Sequence, residues 1–413
     1  MNLQAVSHTL KAISFHINRI FFQPGLKKIE VIMLYREFGT TGELVSNLGF
    51  GCMRLPVLDQ QEDRIDEDLA RRMLRSAIDQ GVNYVDTAYP YHKGMSEPFV
   101  GRALQDGYRD RVFLATKLPS WEVTSRQDCD RILAEQLERL QTTVIDGYLL
   151  HALKKEWWQK LKGLGVLEFL DQAIRDGRIR YAGFSFHDEC DQFKAIVDEF
   201  DWSFCQIQYN FMDEGIQAGT EGLLYAAGKG LGVVVMEPLR GGSLARSVPE
   251  DIQALWDQAL EKRSPAEWAL RWVWNHPEVS VVLSGMTAPD QVEENCRIAA
   301  AAEPNALSET ELDIIDQVRQ RYRERIKVDC TACGYCMPCP NGVNIPRIFS
   351  VYNDRFIFGD ERWSHLMYTF ASNAGEHASN CIECGECEEV CPQGILIIET
   401  LKECHEVLSQ PLE

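Results

Sequence analysis

No stretch of this chain approaches the roughly 20 consecutive apolar residues that a membrane-spanning helix needs. Basic charge is scarce as well. The 42 Lys and Arg stand against 62 Asp and Glu, a formal net charge of -20. So acidic a surface repels phosphate backbones and anionic lipid, so neither nucleic acid nor membrane is expected as a partner. The amino-terminal stretch Phe15–Phe22 is interrupted by His16, Asn18 and Arg19 and lacks a small-residue cleavage site, so a secretory signal is not expected. A Gly-x-Gly-x-x-Gly run is also missing after the first predicted strand, because Gly49-Phe-Gly-Cys-Met-Arg54 has no third glycine. That argues against a dinucleotide-binding doubly wound sheet, the alternative to a barrel.

Cysteine, by contrast, is plentiful. Of 14 cysteines, eight fall between Cys330 and Cys391. The other six (Cys52, Cys129, Cys190, Cys205, Cys296 and Cys404) are scattered singly. Clustering of this kind indicates metal rather than disulfides, and a reducing, cytoplasmic compartment. With 45% hydrophobic and 25% charged residues the chain is an ordinary globular protein, long enough for a barrel of about 250 residues and a second module.

Residues 1–32 form an extension of unassigned role, and Met33 is an alternative start just ahead of the regular pattern. Glu37–Ser46 reads as a hairpin with glycines at its turn. Eight short apolar strands then alternate with helical segments, near Leu48–Phe50, Tyr84–Val85, Val112–Ala115, Gly147–Leu150, Tyr181–Phe184, Phe204–Ile207, Val233–Val235 and Val281–Leu283. Eight is the closing number of a parallel (β/α)8 TIM barrel. The expected division is therefore a barrel over 33–307, a linking helix over 308–328 opened by the capping box Ser308-Glu-Thr-Glu311, and a small α+β module over 329–413.

Barrel active sites lie where the strands end. The second predicted strand ends at Asp86, the third at Lys117 and the fourth at His151, and Tyr91 lies on the loop after the second. A satisfied rim residue explains any one of them. Three polar residues at matching strand ends are better explained as one site. A phenol is a weak acid, with a pKa near 10. A lysine cation about 4 Å away favours the phenolate by roughly 4 kcal/mol at an effective dielectric of about 20. On that reading Tyr91 is tuned about three units downward, Asp86 aims Lys117, and His151 hydrogen-bonds the same substrate oxygen.

Asp86-Thr-Ala-Tyr-Pro-Tyr91, Ala115-Thr-Lys117 and Tyr148-Leu-Leu-His151 resemble the catalytic tetrad of the aldo/keto reductases, over roughly Leu34–Ala302. The resemblance implies an (α/β)8 barrel that binds NAD or NADP without a Rossmann domain, with Tyr91 as general acid. It also implies cofactor positions: Ser185 and Gln206 at the nicotinamide carboxamide; Met236 where a stacking tyrosine is common; Leu239, Arg240 and Gly241 at the pyrophosphate; and Ser284, Gly285, Met286, Gln291 and Asn295 on the adenosine side. The basic residues that the family often places at Gln291 and near Gly285 are missing, which leaves NAD and NADP both open. Trp121, after the third strand, reads either as a wall of the substrate pocket or as a rim aromatic packed on the barrel.

The cysteine runs are Cys330-x-x-Cys333-x-x-Cys336-x-x-Cys339-Pro340 and Cys381-x-x-Cys384-x-x-Cys387-x-x-x-Cys391-Pro392. Such paired runs hold two [4Fe–4S] clusters, with the fourth cysteine of each run ligating the other cluster. Cys330, Cys333, Cys336 and Cys391 then serve one cluster, and Cys381, Cys384, Cys387 and Cys339 the other. The first run has one residue fewer before its fourth cysteine. Paired zinc sites are the alternative. A subgroup of aldo/keto reductases resembles the whole arrangement. The expected function is NAD(P)-dependent interconversion of a small carbonyl and an alcohol, with electron transfer or storage through two clusters and an electron-transfer protein as partner. The alternative is a nucleotide-redox sensor or docking barrel with structural clusters.

Overall fold

The computed structural model describes residues 33–245, 248–330, 334, 336–373, 375–391 and 393–410; the extension over 1–32 and Cys333 lie outside them. Two antiparallel strands come first, β1 (Tyr35–Glu37) and β2 (Leu44–Ser46), as the glycine-bearing turn between them foretold. Eight strands follow: β3 (Leu48–Gly51), β4 (Tyr84–Asp86), β5 (Phe113–Pro119), β6 (Ile145–Leu153), β7 (Ile179–Phe186), β8 (Phe204–Gln208), β9 (Gly232–Met236) and β10 (Val281–Ser284). They pair in parallel in chain order, and β10 pairs with β3 to close the barrel.

The outer helices are α1 (Glu67–Asp79), α2 (Ser96–Ala103), α3 (Arg126–Arg139), α4 (Lys155–Gly163), α5 (Val166–Arg175), α6 (Cys190–Asp198), α7 (Gly219–Gly228), α8 (Glu250–Trp256), α9 (Pro265–Trp274) and α10 (Pro289–Ala299). Their starts follow local chemistry. Asp66 accepts the Leu69 amide at the head of α1, and Ser264 with Pro265 opens α9. The capping box at Ser308 and Glu311 opens α11 (Glu309–Arg323) as expected.

The hairpin plugs one end of the barrel. Phe38 is fully buried and meets Tyr84, Phe113 and Phe204 with ring centroids 5.8, 5.1 and 5.2 Å away. Small residues make the space for this layer: a Cβ on Gly232 would lie 2.6 Å from the Phe38 ring, and one on Gly183 2.7 Å from Phe204. Because aromatic side chains fill the amino-terminal end, the carboxyl-terminal mouth is where polar side chains gather.

The last part of the chain folds into α12 (Ile345–Phe358), α13 (Glu361–Asn373), the single turn α14 (Glu386–Glu389) and α15 (Ile397–Leu408). Among its described residues there are helices and loops but no strand, where an α+β make-up was expected. The intervals between cysteines are too short and too rich in Pro and Gly to alternate. This module has its own apolar core around Val343, Ile348, Phe349, Tyr352, Leu401 and Leu408. Its α12 also reaches the barrel: Ile357 and Phe358 are buried in the barrel's core, and Phe358 packs on Tyr322 of α11 at 5.3 Å.

Candidate active site and cluster cavities

The polar group at the barrel mouth is built on the ladder of β4, β5 and β6. Asp86, the last residue of β4, sits beside Ala115, and Lys117 follows two residues along β5. Lys117 and His151 were expected just past their strands. They lie inside them, because pairing continues through Leu118 with Leu150 and Pro119 with His151. A reading by hydrophobicity stops at the first polar side chain, whereas the backbone ladder does not.

Lys117 is fully buried. Its Nζ donates to both Asp86 carboxylate oxygens at 2.7 and 2.8 Å, to the Thr87 carbonyl at 2.8 Å and to Tyr91 Oη at 3.3 Å. An ammonium has three N–H groups, so carboxylate, carbonyl and phenol together use its capacity. Tyr91 is held by a strained turn, in which His92 and Lys93 are both left-handed at φ 53° and 52°. Buried His92 anchors that turn, accepting the Leu55 amide at 3.2 Å through Nε2 and pairing with the Glu62 carbonyl through Nδ1. The His151 ring meets Tyr91 edge-on at 6.0 Å and Trp121 at 5.1 Å. Trp121 therefore stands beside the site.

Burial changes the electrostatics expected from charge alone. Desolvation raises the Tyr91 phenol above its usual value, outweighing the lowering by Lys117. The expected downward tuning does not occur, because burial outweighs the pull of Lys117, and the Asp86 carboxylate adds to the rise. Lys117 itself is held above the usual lysine value: burial works against its charge, and Asp86 and Tyr91 more than restore it. Burial also raises the Asp86 carboxyl, with Lys117 opposing the rise. His151 falls well below the ordinary histidine value through burial and then Lys117, and its Nδ1 is buried without a partner. The site thus pairs a fully protonated phenol with a neutral imidazole.

A buried layer behind Lys117 escaped the sequence reading. Gln136 Nε2 donates to the Lys117 carbonyl at 3.0 Å and to Glu97 at 2.7 Å, while Thr116 Oγ1 donates to Glu97 and Tyr148 Oη to Gln136, both at 2.7 Å. One signal was available: Gln136 lies on the same face of α3 as buried Cys129, Ile132 and Leu133.

The remaining expected residues ring the same mouth on β7 to β10. Ser185 Oγ accepts the Ala152 amide at 2.7 Å, and Ala152 is left-handed at φ 53°. Gln206 Nε2 points at Met236 Sδ, 3.4 Å away, and its Oε1 is buried without a partner. Asn295 Nδ2 donates to Ser284 Oγ at 3.0 Å, and Gln291 Oε1 accepts the Thr287 amide at 2.8 Å. Leu239 packs against the barrel core, and Gly241 is left-handed at φ 67°. Gly285 lies under the Arg54 side chain. Two residues have other surroundings. Met286 is buried in the apolar core. Arg240 is turned to Asp213 and to Asp354 of α12, at 3.3 and 2.8 Å.

The cysteines line two cavities. One, of about 180 Å³, is walled by Cys336, Cys339, Cys381, Cys384 and Cys387. The other, of about 20 Å³, is walled by Cys330, Cys336 and Cys391. Among the described residues no three Cys, His, Asp or Glu side chains converge as a single-ion cage.

The aldo/keto reductase family profile matches residues 47–320, more than half of the chain. The chain belongs to the aldo/keto reductase family. It also carries a 4Fe-4S dicluster domain, matched over residues 329–396. L-galactose dehydrogenase of Arabidopsis thaliana is 28% identical over 307 residues, covering 68% of this chain and 91% of that protein. The NADH-specific methylglyoxal reductase of Escherichia coli is 26% identical over 304 residues, covering 62% and 90%. Among solved structures, the holo form of aldo-keto reductase AKR11C1 from Bacillus halodurans superposes with a TM-score of 0.58 at 30% identity, covering 69% of this chain and 96% of that one. This aldo/keto reductase is thus an oxidoreductase of a family that uses NAD(P)H on small carbonyls and alcohols, with an iron–sulfur module appended. Among the described residues no helix is long and apolar enough to cross a membrane.

Proposed function

We propose that this aldo/keto reductase reduces a small carbonyl compound with Tyr91 as proton donor and NADH as the nucleotide. The observation that carries the reading is Lys117 Nζ, buried and bonded at once to Asp86, Thr87 and Tyr91 at the open end of a closed barrel. Gln206 Oε1, buried and unpartnered, suits an amide donor such as the nicotinamide carboxamide. A bound nicotinamide supplies the hydride. Tyr91 Oη gives its proton to the substrate oxygen as negative charge develops there. Lys117 then stabilises the phenolate left behind, Asp86 keeps Lys117 charged and aimed, and neutral His151 orients the same oxygen. Trp121 supplies an apolar wall. The segment 284–295 has Asp290, Glu293 and Glu294 and no Lys or Arg, which favours NADH over NADPH. A carbonyl screen with both nucleotides tests this. Tyr91→Phe should lower by about 10²- to 10⁴-fold a reduction that the wild type performs with NADH; activity unaltered by that change, or activity with NADPH alone, rejects the reading.

For the carboxyl-terminal module, the ligand sets are Cys330, Cys333, Cys336 and Cys391, and Cys339, Cys381, Cys384 and Cys387. Cys339, Cys381, Cys384 and Cys387 line one cavity and Cys330 and Cys391 the other, which supports this division, while Cys336 lines both. Bound clusters supply one-electron chemistry. Iron and sulfide analysis of anaerobically purified protein should give eight of each, and EPR during reductive titration should show two interacting centres.

A further inference from the structure

Two arginines stand at the loop after β9, and the fold uses them differently. Arg240, placed against the diphosphate by family resemblance, is already engaged. Nε faces Asp213 at 3.3 Å, Nη1 donates to Asp354 at 2.8 Å, and the guanidinium lies over the Phe358 ring at 5.6 Å. Two carboxylates surround its single charge, and both Asp354 and Phe358 belong to α12.

Arg54 comes from the far side of β10, the strand between β9 and β3. It ends the short turn after β3 and is exposed. Its stem lies flat on Gly285, where an added Cβ would meet Arg54 Cδ, Cβ and Cγ at 3.2 to 3.3 Å. Its Nη1 donates to the Gly241 carbonyl at 3.2 Å. The side chain therefore bridges the two loops, after β9 and β10, that bracket the dinucleotide under the proposed function. Its backbone is held on both sides: the Cys52 carbonyl accepts from buried Ser96 at 3.2 Å, and the Leu55 amide donates to buried His92 at 3.2 Å. Among the described residues no ion pair engages Arg54. Of its five N–H donors one goes to Gly241, so a fork remains for an anion.

We infer that Arg54 is the cation that binds the diphosphate of the dinucleotide, and that Arg240 is withdrawn from that role to clasp the cluster module onto the barrel. The inference rests on the proposed dinucleotide site. A guanidinium pre-aimed by Gly241 and Gly285 binds a diphosphate bidentately, and its exposure lets it receive that anion without breaking an existing ion pair.

Tryptophan-fluorescence titration of the full-length, cluster-loaded protein with NADH, NADPH, ADP and adenosine tests the assignment. In Arg54→Ala, binding of NADH and of ADP should weaken in parallel, by about 10- to 100-fold. Adenosine, which lacks the diphosphate, should bind as before. The salt dependence of NADH binding should flatten, and the loss should fall on KM for the nucleotide more than on kcat. Arg54→Lys should recover part of the affinity, and an unchanged melting temperature should show that the fold survives. Wild-type affinity for NADH and ADP in Arg54→Ala overturns the assignment, as does a loss confined to NADPH, which would place Arg54 at a 2′-phosphate. If the wild type binds neither nucleotide, the dinucleotide reading itself fails and takes the assignment with it.

Discussion

The barrel mouth and the cysteine module solve the same problem, holding several reactive side chains at fixed separations, by opposite means. At the mouth, Asp86, Lys117 and His151 each ride on a strand, and the ladder sets their spacing before any ligand arrives. In the module, Cys330, Cys339 and Cys381 lie on loops and turns, tied to a separate and smaller core, and Cys384 lies on an exposed loop. Rigidity comes from backbone hydrogen bonds in one region and must come from metal–thiolate bonds in the other. Damage should therefore show in rate at the mouth and in folding at the module. Arg240 and Phe358, where the two regions touch, should show it in the docking of one on the other.

The largest effect should come from iron removal. Chelation under reducing conditions should open residues 329–410 to proteolysis while the barrel keeps its cooperative melt; a single transition lost all at once would erase the distinction between the two regions. Next in size is Tyr91→Phe, with carbonyl reduction down about 10²- to 10⁴-fold at unchanged stability. Steady-state rates together with thermal melts check it. Asp86→Ala should do both kinds of harm, because it leaves Lys117 buried without its counter-charge. Denaturant titration should show a loss of about 3–5 kcal/mol, and a loss under about 1 kcal/mol would mean that the pair is far more hydrated than its burial indicates. Phe358→Ala should cost about 3 kcal/mol, chiefly by loosening α12 from the barrel, as hydrogen exchange on α12 would reveal.

The smallest effects are in pH. With the Tyr91 phenol raised, the carbonyl-reduction rate should stay flat through neutral pH and decline only above pH 10; a decline centred near pH 8 would refute a burial-dominated phenol. His151 stays neutral in the fold at a pH where the unfolded chain protonates it. Below about pH 6.5 the unfolded state binds more protons, so stability should drop as pH falls, and His151→Gln should reduce that slope.

Much of this was legible before folding. Eight apolar segments alternating with helices, each of a few residues and bounded by caps, announce a parallel barrel, since short β-rich runs at that spacing have few other ways to bury themselves. Asp86, Lys117 and His151 announce themselves because polar residues that interrupt apolar strands demand a reason. Glu97, Gln136 and Thr116 did not, because their partners in this layer lie 12 to 39 residues away in sequence and only the fold brings them together.

The amino-acid sequence by itself determined the family, the order of the strands, the polar residues at the mouth and the two cysteine runs, because these depend on local pattern and spacing. Only in the folded chain does burial outweigh the lysine at Tyr91, does Arg240 face Asp354, 114 positions further along, and does Arg54 lie across Gly285 and reach Gly241. Desolvation and long-range ion pairing depend on what surrounds a group in space, which no local pattern encodes.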